Sequence, residues 1–179
     1  MKEFSRWFNE GAYTQYFDTF DYGITTSAAL FRYNMKVPAL DCGGKGDRDN
    51  GNGSLMRIIP IAFIPDVDFK TVENMSRMTH AHERTLVTCS FYIEIAKSML
   101  SNDNLTIDEH IKNAGDIIKE HYKDSKELKH LHRVFDDDFS EGILSSGYVI
   151  YTFESVIYCL KTTGNYKDAL LKAVNLGGD

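Results

Sequence analysis

Cysteine is sparse in this chain of 179 residues, and the three present, Cys42, Cys89 and Cys159, stand far apart. An odd, scattered set offers neither a disulfide framework nor a zinc-ligand spacing, which excludes small disulfide scaffolds and zinc modules. Cys89 and Cys159 fall in apolar helical stretches and read as core thiols of a reducing compartment. Long hydrophobic runs are also missing. No apolar stretch reaches the roughly 18 residues of a membrane span, and Met1-Lys2-Glu3-Phe4 does not open a signal peptide. A cytoplasmic location with no membrane partner is therefore expected. Basic charge is nowhere concentrated: the 20 Lys and Arg are spread along a chain of net charge −6, which argues against nucleic acid as a partner. Two familiar glycine fingerprints fail as well. No Lys-Ser/Thr pair follows Gly46 or Gly51 as a Walker loop requires, and after Gly51 and Gly53 a dinucleotide fingerprint would need glycine at Met56.

What the chain does have is helical periodicity, with no convincing strand. Phe4, Trp7 and Phe8 share one face of a short helix over 2–9 that Gly11 stops, and this aromatic face has no evident partner. A second helix over 23–31 takes Thr25 or Thr26 as its cap. Residues 35–50, rich in glycine and charge, read as a surface loop. Pro60 should kink or end the helix near Ile59. Asp68 caps a helix to Met78, and Thr79 caps the next, whose buried stripe is Leu86, Cys89, Ile93, Ala96 and Leu100. Thr106-x-x-Glu109 is a capping box. Residues 125–135 read as a more polar helix. Asp136-Asp137-Asp138 reads as a solvated acidic loop. Helices over 148–161 and from Asn165 onward follow, the last with Ala169, Leu170, Ala173 and Val174 facing inward. The expectation is a single all-α domain over 1–179, with too many buried stripes for a four-helix bundle.

The organising stretch is Asn50-Gly51-Asn52-Gly53-Ser54-Leu55-Met56-Arg57-Ile58-Ile59-Pro60. Two glycines permit a tight turn, and Ser54 is placed to cap the helix that follows. Such a turn at a helix N-terminus presents N–H donors to phosphate or ribose oxygens, although Gly-Asn-Gly also fits a plain loop. Arg57 must either snorkel or pair with an anion. His80 is placed either to hydrogen-bond a ribose or simply to sit on the surface. Tyr148 is placed either to stack on a base or to pack. His110, His121, His130 and His132 sit in polar helices and are expected to face solvent.

Phe20-Asp21-Tyr22-Gly23-Ile24-Thr25-Thr26, the Asn50 to Pro60 stretch, Thr79-His80, Gly147-Tyr148-Val149 and Ala173-Val174-Asn175-Leu176-Gly177-Gly178-Asp179 together resemble the ADP-ribosylglycohydrolase family, over nearly the whole chain. The resemblance implies an all-α orthogonal multi-helix bundle. It implies a hydrolase that removes ADP-ribose from a modified protein side chain or a small molecule through a binuclear Mg²⁺ site. It places Gly51, Asn52, Gly53 and Ser54 at the diphosphate and ribose, His80 at the distal ribose, Tyr148 at the adenine, and Asp179 as a metal ligand. The family's Thr-Asp-Asp segment has no counterpart before Trp7, and its Gly-Gly-Asp-x-Asp-Thr segment is represented only as far as Asp179. A hard divalent ion wants six or more oxygens. A chain truncated at both ends and inactive by itself is therefore expected, with no catalytic residue assignable within it. The competing reading is a non-catalytic helical ADP-ribose-binding module.

Overall fold

The computed structural model describes residues 1–178. In chain order its helices are α1 (Lys2–Glu10), α2 (Ile24–Asn34), α3 (Leu55–Ile58), α4 (Phe69–Arg77), α5 (Glu83–Ser101), α6 (Ile107–His121), α7 (His132–Phe135), α8 (Val149–Lys161) and α9 (Tyr166–Leu176). Short 3₁₀ segments supplement them, and among the described residues no strand forms, only two isolated β-bridges. The all-α expectation holds.

The fold is built around α5. Its middle, from Thr85 to Ile95, is buried on nearly every side, so one packed face cannot account for it and neighbours surround it. Val87, Phe91 and Ile95 are as buried as Leu86, Cys89 and Ile93, so the single expected stripe understates the burial, while Leu100 at the end lies exposed. Helices α3, α4, α6 and α8 and the 3₁₀ segments Ile59–Phe63 and Lys126–Leu131 all pack against it. The hydroxyls buried with α5 find partners: Thr85 donates to Asn50 Oδ1 at 2.8 Å and Thr88 to the Arg84 carbonyl at 2.8 Å. Unpaired, each would carry the desolvation cost of a buried polar group, about 1–3 kcal/mol.

Where local chemistry decides a boundary, the expected one appears. Gly11 ends α1 at φ 60, a conformation that suits glycine, and a Cβ there would lie 2.1 Å from the Phe17 carbonyl carbon. Asp68 caps α4 through the Thr71 N–H at 2.8 Å, Thr106 and Glu109 form their reciprocal box, and Asn165 caps α9. Helix α3 gives way to 3₁₀ geometry at Ile59, next to Pro60.

Where long-range contacts decide, the expectation needs correcting. Gly23, not Thr25 or Thr26, is the N-cap of α2. His82, not Thr79, caps α5, its Nδ1 accepting from the Arg84 N–H. The 35–50 segment is no simple surface loop, because Cys42, Gly43 and Gly44 are buried and Gly44 forms a parallel bridge with His80. Residues 125–135 split into the Lys126–Leu131 3₁₀ segment and α7. His110 is buried and bonded to Ser98 at 2.8 Å. The aromatic face of α1 does find partners: Phe8 meets Tyr22 and Phe31 edge-on at 5.0 and 5.4 Å, and Phe4 lies under the Arg57 guanidinium. Of the α9 residues expected to face inward, Ala169 is half-buried while Leu170, Ala173 and Val174 are exposed.

Candidate functional site

The glycine turn is held by pairing with the start of α8. Asn52 N–H donates to the Gly147 carbonyl at 2.8 Å and Val149 N–H to the Asn50 carbonyl at 3.0 Å, so Gly51 lies opposite Tyr148 in an antiparallel bridge. Asn52 Nδ2 donates to Thr152 Oγ1 at 3.0 Å, fastening the same turn to the first turn of α8. Asn50 is buried and spans three elements, accepting from Thr85 on α5 and donating to the Asp47 carbonyl at 3.0 Å. Ser54 is the residue before α3, yet its hydroxyl makes no cap. It turns inward, accepting from Ser76 Oγ at 2.9 Å and lying 3.5 Å from Cys89 Sγ.

Behind the turn sits a second bridge that fixes Thr79 and His80. Gly44 N–H donates to the Thr79 carbonyl at 3.1 Å, and Ala81 N–H donates back to Gly44 at 2.8 Å. His80 is almost wholly buried, and its ring lies against Gly51 and Gly53. A Cβ on Gly53 would come within 3.0 Å of His80 Cε1 and 3.1 Å of Thr26 Oγ1, so only glycine lets the turn pass between these two side chains without displacement. Burial lowers the His80 pKa to about 4, with the nearby Arg57 charge as the next cause, so the ring is neutral at pH 7.

Arg57 projects from α3 beneath the turn. It donates to the carbonyls of Gly53 at 2.9 Å and Met75 at 3.0 Å and to Thr79 Oγ1 at 2.7 Å, all neutral oxygens. Burial lowers its pKa to about 10, which still leaves it a cation at neutral pH. The charge therefore stands without a carboxylate partner among the described residues, at the floor of a cleft.

That cleft has a volume of about 820 Å³. Its lining includes Gly51, Asn52, Gly53 and His80, the N-terminal turn of α2 with Gly23, Thr25 and Thr26, and the aromatic side chains of Phe4, Trp7 and Tyr22. The structure thus gathers Gly51, Asn52, Gly53 and His80 in one cleft. Ser54 lies behind it. Tyr148 contributes its backbone to the turn, while its ring packs edge-on against Tyr151 at 5.0 Å and its hydroxyl accepts from Arg84 at 3.2 Å, so it is not among the cleft's lining residues. Asp179 lies outside the described residues. Sequence reasoning gave no ligand-facing place to Thr25, Thr26 or Thr79, whose only signal was membership of the quoted Gly-Ile-Thr-Thr and Thr-His motifs.

The donor set in this cleft does not suit a binuclear metal site. Asp21 is the one carboxylate among the described lining residues, and no group of three or more His, Cys, Asp or Glu among the described residues could hold a metal ion. Hard divalent cations require several oxygen ligands converging in fixed geometry.

An all-α chain wound on one central helix brings a glycine turn, a buried neutral histidine and a guanidinium with no carboxylate partner among the described residues to one cleft, which defines the class as an all-α protein with one candidate site. The ADP-ribosylglycohydrolase family profile matches residues 1–179, and the chain belongs to that family. It is similar to the ADP-ribosylarginine hydrolase Tri1 of Serratia proteamaculans (strain 568), with 27% identity over 97% of this chain and 46% of that protein. It is also 27% identical to the ADP-ribosyl-[dinitrogen reductase] glycohydrolase of Rhodospirillum rubrum, over 89% of this chain and 50% of that protein. The chain spans about half the length of these curated relatives.

Proposed function

We propose that the cleft receives the ADP-ribosyl group of a modified protein side chain or small molecule, and that the protein releases ADP-ribose by hydrolysis. The observation that carries this reading is the gathering of Gly51, Asn52, Gly53 and His80 in one cleft with the Arg57 cation and the N-terminal turn of α2. A ligand with two phosphates and two riboses matches such a cleft. Side-chain-free backbone lets phosphate oxygens approach closely, and the positive end of a helix dipole and a desolvated cation favour negative charge between them. A neutral imidazole serves a ribose hydroxyl without competing for a proton. An ADP-ribosylated arginine is the natural first test substrate, since one relative is named for that linkage.

The Mg²⁺ pair belongs to this proposal only through the family. The described donor set does not fit it. That same observation favours a second reading, in which the chain is a non-catalytic ADP-ribose-binding module. Calorimetry with ADP-ribose tests the shared part of both. Binding should be measurable, and Asn52→Ala or Gly53→Ala should weaken it about tenfold while leaving a cooperative melt, given about 1–2 kcal/mol for a displaced turn. Unchanged affinity in both variants would return the turn to a purely structural role. Release of ADP-ribose from an ADP-ribosylarginine substrate then separates the two, since a binding module shows affinity without turnover.

A further inference from the structure

Three polar groups stand in a row under the glycine turn: the Arg57 guanidinium, the Thr79 hydroxyl and the His80 imidazole, spaced 2.7 and 2.8 Å apart. We infer that Arg57 and Thr79 are positioning residues that hold His80 in the tautomer bearing its proton on Nε2, so that a fixed N–H faces the cleft. The inference deepens the proposed ADP-ribose reading and rests on it for the identity of what the N–H meets.

The direction of each bond follows from the chemistry of its ends. A guanidinium has five N–H donors and no acceptor, so Thr79 Oγ1 accepts from Arg57. The threonine hydroxyl then has one proton to give, and the acceptor in reach is His80 Nδ1. The reverse arrangement, with Nδ1–H donating to Thr79, would leave the hydroxyl proton with no acceptor among the described residues. Nδ1 is therefore the bare nitrogen, and in a neutral imidazole the proton must sit on the other one. Nε2 is the ring nitrogen toward the glycine turn, 3.4 Å from where a Gly51 Cβ would be and 3.5 Å from the Gly53 position, and His80 is among the residues that line the cleft with that turn.

The row has no slack at either end. Arg57 is clamped by the Gly53 and Met75 carbonyls, and Thr79 by its own N–H on the Ser76 carbonyl at 3.0 Å and its carbonyl on Gly44 N–H. The charged groups that act on His80 are Arg57 and Asp49, the first disfavouring and the second favouring a ring proton. Gly53 belongs to both sides of the device, since its carbonyl holds Arg57 and its missing side chain admits the His80 ring. A ligand oxygen in this cleft thus meets a donor oriented before binding, which avoids part of the ordering cost of association.

The test is nitrogen-15 NMR of histidine-labelled full-length chain at pH 7, with the His80 signals assigned by their loss in His80→Gln. In the unaltered protein Nε2 should resonate as the protonated nitrogen and Nδ1 as the bare one. Thr79→Val, which removes the hydroxyl and keeps the shape, should give a mixture of tautomers, and Thr79→Ser should restore the single form. ADP-ribose affinity should fall about three- to tenfold in Thr79→Val, the effect of one hydrogen bond, and recover in Thr79→Ser. A His80 spectrum with the proton on Nδ1, or one that Thr79→Val leaves unchanged, overturns the inference. A tautomer that follows Thr79 as expected, in a protein whose ADP-ribose affinity is indifferent to both variants, upholds the row and overturns the ligand reading instead. Should Thr79→Val not fold, the unaltered spectrum and Thr79→Ser still decide the tautomer.

Discussion

His80 couples its protonation to folding. Its ordinary pKa of 6.5 falls to about 4 in the folded chain because burial, and then the Arg57 charge, penalise the imidazolium. The unfolded chain therefore binds the extra proton between those two values while the folded chain does not. Stability from this residue is fully present above about pH 6.5 and is lost as pH falls toward 4, on the order of 3 kcal/mol across the window. Chemical denaturation from pH 7.5 to 4.5 should show a falling midpoint in the unaltered protein and a markedly flatter profile in His80→Gln. Parallel profiles would mean that the ring is solvated. The residue's presence at a site was legible in Thr79-His80, but its burial was not, because the Gly44 bridge that covers it comes from thirty-six residues upstream. Ser54 failed for the same kind of reason: its local pattern is that of a cap, and the Ser76 hydroxyl that draws it inward is remote in sequence.

At the scale of elements, the site is a meeting of helix ends, and Asn50 is where they are tied. Its side chain joins α5 to the Asp47–Asp49 turn, and its carbonyl holds the first N–H of α8. Asn50→Ala keeps that backbone bond but leaves the Thr85 hydroxyl and the Asp47 carbonyl without their partner in a buried setting. A loss of about 2–4 kcal/mol is expected in urea denaturation, from two unsatisfied groups at about 1–3 kcal/mol each. A loss under 0.5 kcal/mol would show that water replaces the side chain freely. Element identity was largely readable, since α4, α6 and α9 begin at caps whose partners lie three residues away. The start of α5 was not, because Thr79 spends its backbone on Gly44 and its hydroxyl on Arg57 and His80, which pushes the helix start to His82. The 35–50 segment escaped a sequence reading likewise, as glycine and charge signal a loop whether or not a distant histidine pairs with it.

Over the whole molecule, the described surface carries a cluster of exposed aromatic rings in one connector. Tyr13, Tyr16, Phe17 and Phe20 in the connector from α1 to α2 are each at least 74% exposed. Among the described residues no helix is long and apolar enough to cross a membrane. The connector is also strained, with Tyr13, Phe17 and Asp21 all at positive φ, a conformation that costs non-glycine residues of order 1 kcal/mol each. Exposure of such side chains forfeits roughly 1.5–3 kcal/mol apiece, against a typical total stability of 5–15 kcal/mol. The 179-residue chain should therefore enhance ANS fluorescence and associate as its concentration rises in sedimentation experiments. Phe17→Asn separates surface from strain, because it removes an 80% exposed ring and places at φ 54 a residue that tolerates the left-handed region. That variant should bind less dye, associate less and melt no lower than the parent. A parent chain that stays monomeric and silent toward ANS, or a Phe17→Asn protein several degrees less stable, would show that the ring packs against the rest of the chain in solution.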